Sequence, residues 1–242
     1  MDRIFRIFLS STFSDFQAER KALMERVWPA LERHCRSQGA VFEVVDLRWG
    51  VSEVDSLSHD TLRICLDELA ACQQLSPRPN FVMLIGDRYG WRPLPPEIPV
   101  DEFEVLQEAL ADPADRELLL TWYRRDDNAV PPHYRLLPRE GAYRDQSVWG
   151  EVEDRLIAAL RDAVTRSGMT TERRGRFFLS PPHMEIVNGM LAVADAPEHV
   201  FAVFRSIEGL DPGHRLAGQF TDLRDGQPDP EASALRRELR QE

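Results

Sequence analysis

Ile4-Phe5-Arg6-Ile7-Phe8-Leu9, running straight into Ser10-Ser11-Thr12, decides the fold of this 242-residue chain. A short apolar run that ends in hydroxyl residues reads as a buried strand. Ser14 and Gln17 fit a capping box, so a helix is expected to open there. Its apolar positions, Phe16, Leu23, Val27, Leu31 and Cys35, fall near a 3.6-residue period. Pro29 lies inside that helix and removes one backbone hydrogen bond, which predicts a kink near Glu25. Gln38-Gly39 ends it.

Working outward, Val41 to Leu47 is a second apolar, β-branched strand. A helix spans roughly Ser58 to Gln73, with Leu62, Cys65, Leu66 and Leu69 on one face. Phe81-Val82-Met83-Leu84-Ile85 is a third strand. Strand, helix, strand, helix, strand at these spacings implies right-handed βαβ crossovers and a parallel sheet of the α/β class.

The pattern then changes. Residues 92–176 are rich in proline and carry helix-like segments near 101–110, 114–124 and 146–167, with Trp149, Val152, Leu156 and Leu160 as an apolar stripe. A mainly helical insertion is expected, docked by its apolar face because it is small for a core of its own. Phe177 to Leu179 reads as a short strand. Ser180-Pro181-Pro182 reads as a helix start, with serine as N-cap and proline in the first turn, running to about Val193. His199 to Phe204 reads as a fourth buried strand. Asp229-Pro230 opens a last helix with no Gly or Pro stop signal, and more chain is expected to follow. The whole, residues 1–242, reads as one domain, with 229–242 leading toward a downstream module.

With 30 basic and 41 acidic residues the net charge is −11. That opposes loose binding to nucleic acid and to anionic membrane surfaces. No stretch approaches the roughly 20 apolar residues of a membrane span, and no signal-peptide core follows Met1. Cys35, Cys65 and Cys72 sit inside helical patterns and read as reduced packing residues of a cytoplasmic protein. Lys21, the only lysine, follows Arg20, so no Walker A loop exists. The histidines lack metal-ligand spacing, and no G-x-S-x-G elbow or G-x-G-x-x-G turn is present. Kinase, Rossmann dehydrogenase, α/β-hydrolase and zinc hydrolase chemistry are disfavoured, and no metal or tightly bound cofactor is expected.

In an open parallel sheet, ligands bind beyond the carboxyl ends of the strands. The first strand delivers Ser10, Ser11 and Thr12, which read either as a cap and turn or as hydroxyls and amides for an anion. The second delivers Asp46, Arg48 and Trp49; the third delivers Gly86, Asp87, Arg88, Tyr89, Gly90 and Trp91. The acids and arginines read either as structural ion pairs or as phosphate ligands, and the indoles as packing or as nucleotide-stacking residues. Gly86 and Gly90 serve turn geometry first. Glu185 sits early in the helix opened by Ser180, with Gly189 four residues on. With Ile186, Val187, Met190 and Leu191 as the core side, Glu185 points away from that core. It reads either as an exposed acid at the positive helix end or as a carboxylate at the strand-end cleft, where it holds ribose hydroxyls and stabilises an oxocarbenium-like transition state.

The stretch Phe8-Leu9-Ser10-Ser11-Thr12-Phe13-Ser14-Asp15-Phe16-Gln17-Ala18-Glu19-Arg20 resembles the start of a TIR-like domain family. Those domains stand ahead of NACHT or other STAND NTPase modules with WD or TPR repeats, of the nephrocystin and vault-associated telomerase protein type. The similarity continues in Val45-Asp46-Leu47-Arg48-Trp49-Gly50-Val51-Ser52-Glu53 and Gly86-Asp87-Arg88-Tyr89-Gly90-Trp91-Arg92-Pro93, then in Leu120 to Tyr123, Asn128 to Pro132 and Glu198 to Phe201. The resemblance implies a flavodoxin-like fold. It implies either an adaptor that self-associates or an enzyme that cleaves the nicotinamide–ribose bond of NAD with a glutamate of the helix after the third strand. In the family that helix opens Ser-Val-Thr-Glu-x-Glu; Ser180-Pro181-Pro182-His183-Met184-Glu185 keeps the serine and the second glutamate and has Pro182 and His183 in place of the Thr-Glu pair.

The expected function is therefore the effector domain of a STAND-type NTPase, working in bacterial immunity by self-association with other copies of itself; its further expected partners are the downstream NTPase and repeat domains of the same chain and a nucleotide ligand. The alternative is an NAD glycohydrolase activated by oligomerisation, with Glu185 as its catalytic residue and NAD as substrate.

Overall fold

A computed structural model describes residues 3–47, 56–76 and 78–241. In chain order the elements are β1 (Arg3–Ser11), α1 (Gln17–Ala22), α2 (Trp28–Ser37), β2 (Ala40–Val45), α3 (Thr61–Leu75), β3 (Phe81–Ile85), β4 (Glu97–Pro99), α4 (Val100–Ala109), α5 (Pro113–Trp122), β5 (Tyr123–Asp126), β6 (His133–Leu136), α6 (Gln146–Ser167), α7 (Thr171–Phe178), α8 (Pro181–Ile186), α9 (Ala196–His199), β7 (Val200–Phe204), α10 (Ala217–Phe220), β8 (Leu223–Arg224), β9 (Gln227–Pro228) and α11 (Pro230–Leu239). They divide into two compact units: residues 1–51, 63–91 and 180–242, and residues 52–62 and 92–179.

The first unit is a four-stranded sheet in the order β2-β1-β3-β7, flanked by helices. Every pairing in it is parallel, with Phe8 opposite both Val45 and Phe81, and Phe81 opposite Val200. This is the flavodoxin-like arrangement. Alternation along β1 sends Phe8 to one face, against Cys65, Leu69 and Ile186, and Leu9 to the other, against Phe16 and Leu84. No helix among the described residues is long and apolar enough to cross a membrane.

Local chemistry departs from the sequence reading at four places. Helix α1 begins at Gln17 with Phe16 as an uncapped N-cap, because the Ser14 hydroxyl is used elsewhere and donates to the Gln219 carbonyl. The interruption expected near Glu25 takes the form of a change of helix type. The helix widens to π geometry over Leu23–Val27 and restarts at Trp28, so Pro29 falls in a first turn, where its missing N–H costs nothing. Residues 177–179 form no strand; Phe177 and Phe178 close α7. β7 is not buried. It pairs with β3 on one side and forms the edge of the sheet, with Phe201, Val203 and Phe204 exposed.

The second unit is mainly helical around a three-stranded antiparallel sheet, β4-β6-β5. Contrary to the expectation from its size, it closes a core among its own residues, with Ile98, Phe103, Leu106, Trp149 and Leu156 buried. Aromatic bulk makes this possible: Phe103 stacks on Tyr134, and Trp122 meets Trp149 edge to face at 4.7 Å.

Candidate functional site

The site is built from the carboxyl end of β1 and from α8. Strand alternation turns Ser10 toward α8 and Ser11 toward α1. The Ser10 hydroxyl donates to the Glu185 carboxylate at 2.5 Å, and both residues are buried. Burial pushes the Glu185 carboxyl up to about 7, against the hydrogen bonds from Ser10 and the Cys65 thiol and the charge of Arg20, which favour ionisation. The same burial, with Glu185 beside it, pushes the Cys65 thiol far up and keeps it protonated.

On the other face of β1, Arg20 of α1 is 2 % exposed. Its Nε donates to the Ser11 hydroxyl at 3.0 Å and its Nη1 to the Asp46 carboxylate. Phe13 covers the guanidinium at 5.1 Å. Buried charge of this kind is tolerated only when paired.

The third-strand turn closes the rim. The Tyr89 hydroxyl lies 2.8 Å from His183 Nδ1 and accepts from the Ser180 backbone N–H at 3.3 Å, tying the turn to the start of α8. Asp15 accepts from the Thr12 hydroxyl at 2.5 Å and from Arg205 at 3.1 Å; burial pushes its carboxyl up to about 6, and those contacts oppose the shift. Gly86 is where this loop crosses β3, since a Cβ there would stand 2.5 Å from Asp15 Oδ2. Between Ser10, Thr12, Arg88, Tyr89, Pro182 and Arg236 remains a hollow of about 20 Å³, the size of one water molecule.

Ser10, Ser11, Thr12, Asp46, Gly86, Arg88, Tyr89 and Glu185 thus converge on the strand ends of one unit. Arg48 and Trp49 lie outside the described residues. Trp91 is 57 % exposed and has no part in the hollow. Glu185 does not point away from the core. It is 6 % exposed, and Gly189, four residues on, packs against Phe81 and Leu69, so the small residue marks a close approach and not free space. Leu191, expected on the core side, is 41 % exposed. The ion pairs also run differently: Asp46 is held by Arg20, Asp87 by Arg236, and Arg88 faces Asp222 at 3.6 Å.

Sequence reasoning missed Arg20, Cys65, His183, Asp15 and Arg205. Arg20 was within reach: Phe16, Arg20, Leu23 and Val27 share one helical face, and a charge on an apolar stripe announces a buried pair. The others carry no local signal. Among the described residues no group of His, Cys, Asp and Glu is placed to hold a metal ion.

Residues 6–169 match the family described as a domain of unknown function, DUF4062. The NACHT domain- and WD repeat-containing protein 1 of Mus musculus is 34% identical over 198 residues, 80% of this chain and 12% of that protein. The NACHT and WD repeat domain-containing protein 2 of Homo sapiens is 34% identical over 177 residues, 67% of this chain and 10% of that protein. Telomerase protein component 1 of Rattus norvegicus is 36% identical over 97 residues, 40% of this chain and 4% of that protein. The chain thus spans about a tenth of the length of the NACHT and WD repeat relatives. No solved structure matches it. A match over most of the chain, with β1 to β3 folded as a parallel strand-and-helix alternation, makes this a member of the DUF4062 family, the kind of domain carried by NACHT and WD repeat proteins.

Proposed function

We propose that this domain is the effector and signalling module of a STAND-type NTPase of the NACHT class, acting in the bacterial cytoplasm in immunity and working by self-association. The observation that carries the reading is the β7 edge. Phe201, Val203 and Phe204 are 62 %, 48 % and 53 % exposed on a strand with one neighbour in the sheet. Beside it runs an apolar groove of about 670 Å³ lined by Phe5, Ile7, Trp28, Phe42 and Val82. Parallel sheets normally have both faces covered, an open strand edge invites another strand, and a continuous apolar patch favours a protein partner. Sedimentation of the wild-type chain against Phe201→Asp tests it. Concentration-dependent association lost in the folded variant supports the reading; a wild-type chain that stays monomeric at every concentration overturns it.

A second reading, NAD cleavage, is favoured by the Glu185–Ser10 pair at the strand ends. In that reaction water adds to the ribose anomeric carbon, the carbon–nitrogen bond breaks, and nicotinamide leaves with the bonding electrons as the attacking water loses a proton. Ionised Glu185 would stabilise the cationic sugar in between. A fusion that forces the chains together, incubated with NAD, decides it: nicotinamide release abolished by Glu185→Ala supports the reading, and no release, or release unaffected by the substitution, discards it.

A further inference from the structure

The crevice where a doubly wound sheet takes its ligand lies between strands whose crossovers leave in opposite directions. Here those strands are β1 and β3, since β1 leads to β2 on one side and β3 pairs with β7 on the other. Their ends carry Thr12 and the turn Arg88–Gly90. A second stretch of the same unit, residues 206–241, already sits on them.

At its centre is Asp222. The backbone N–H of Tyr89 donates to its carboxylate at 2.6 Å, the N–H of Gly90 donates at 3.2 Å, and Arg88 Nε lies 3.6 Å away. Gly90 has φ +96°, a conformation that lets consecutive amides converge on one point. Two backbone donors and a guanidinium chelating two anionic oxygens form the geometry by which proteins hold phosphate.

The rest of the stretch is fastened around this contact. The Ile207 N–H donates to Asp87, and Arg236 pairs with the same carboxylate. Arg240 donates to the carbonyls of Gly86 and Arg205 at 3.1 and 2.9 Å. Arg88 donates to the Gly218 carbonyl. Arg236 and Leu239 of α11 form one wall of the small hollow, facing Ser10, Thr12 and Tyr89. From Ser206 to Pro228 the single fully buried residue is Ala217, so this part is held by polar contacts near solvent, the kind that opens locally at low cost.

We propose that the Arg88–Gly90 turn is a binding site for phosphate oxyanions, held shut by the chain's own 206–228 strap, whose Asp222 carboxylate occupies it, while α11 stays packed in the core through Ala232 and Leu239. Phosphate competes with Asp222 for the same donors. The site needs no glycosidic chemistry and no self-association, so it stands or falls apart from both readings above.

Calorimetry with inorganic pyrophosphate on the full chain tests it. Asp222→Asn keeps the shape of the side chain and removes the competing charge, and is expected to bind pyrophosphate at least tenfold more tightly than wild type. Adding Arg88→Ala to it is expected to abolish that gain. A folded Asp222→Asn chain that binds no more tightly than wild type overturns the proposal. Hydrogen exchange of the wild-type chain gives a readout that needs no variant. Pyrophosphate is expected to speed exchange across 206–228 relative to sodium chloride of equal ionic strength, and unchanged exchange overturns the proposal. Binding of ADP equal to that of pyrophosphate assigns a free oxyanion; tighter ADP assigns a nucleotide.

Discussion

The Ser10 hydroxyl holds the Glu185 carboxyl at 2.5 Å across 175 positions of chain, inside the protein. A carboxyl in that place keeps its proton well above the usual range, because ionisation without water is expensive.

The stability of the fold is therefore expected to depend on pH through Glu185. Its carboxyl moves from an ordinary 4.5 to about 7 on folding. The folded chain holds this proton more tightly, so the contribution is fully present below pH 4.5 and is lost as pH rises through about 7. The span corresponds to about 3 kcal/mol. Glu185→Gln, which keeps the acceptor for Ser10, should remove the Glu185 share of the slope and leave the shares of Asp15 and Glu153, whose carboxyls burial also raises. Urea unfolding at pH 5 and pH 8 measures it, and parallel pH profiles for the two chains would contradict the assignment.

Arg20 is expected to be a structural requirement. Arg20→Met keeps the aliphatic stem and removes the buried charge that serves Ser11 and Asp46. Loss of one partner of a buried pair costs about 3 kcal/mol or more. Arg20→Lys should rescue little, since one ammonium cannot reproduce the fork that reaches both partners. Midpoints of chemical denaturation provide the comparison.

Two glycines should respond in opposite directions. At Gly86 a methyl group meets Asp15 at 2.5 Å and Phe16 at 3.1 Å, and Gly86→Ala should destabilise by about 1–3 kcal/mol. At Gly150, inside α6, a methyl group meets nothing within 4 Å, and Gly150→Ala should stabilise by about 0.5–1 kcal/mol. Thermal unfolding of both variants checks the pair of signs.

Asp229 caps α11, accepting from the N–H groups of Glu231 and Ala232 at 2.9 and 3.2 Å. Asp229→Ala should cost about 1 kcal/mol. Faster hydrogen exchange is expected across 230–239 first, with β1 and β3 unaffected; uniform acceleration over the whole chain would show that the cap acts globally.

Periodicity and punctuation alone were enough for the parallel sheet. The runs 4–9, 41–47 and 81–85 are mostly apolar, and helical segments between them leave parallel crossovers as the solution. They also placed Ser10, Thr12 and Arg88 at strand ends, since the end of a strand is a local property. Three things were decided only in three dimensions. Glu185 is buried because Gly189 lets α8 and the π-helical stretch Val187–Leu191 that continues it close on Phe81, and no pattern within the helix records how near a strand from elsewhere will come. β7 reads like an inner strand, yet its neighbour count depends on what else joins the sheet, not on its own apolar residues. Asp222 meets Tyr89 across 133 positions, and a contact of that range is set by packing, not by propensity.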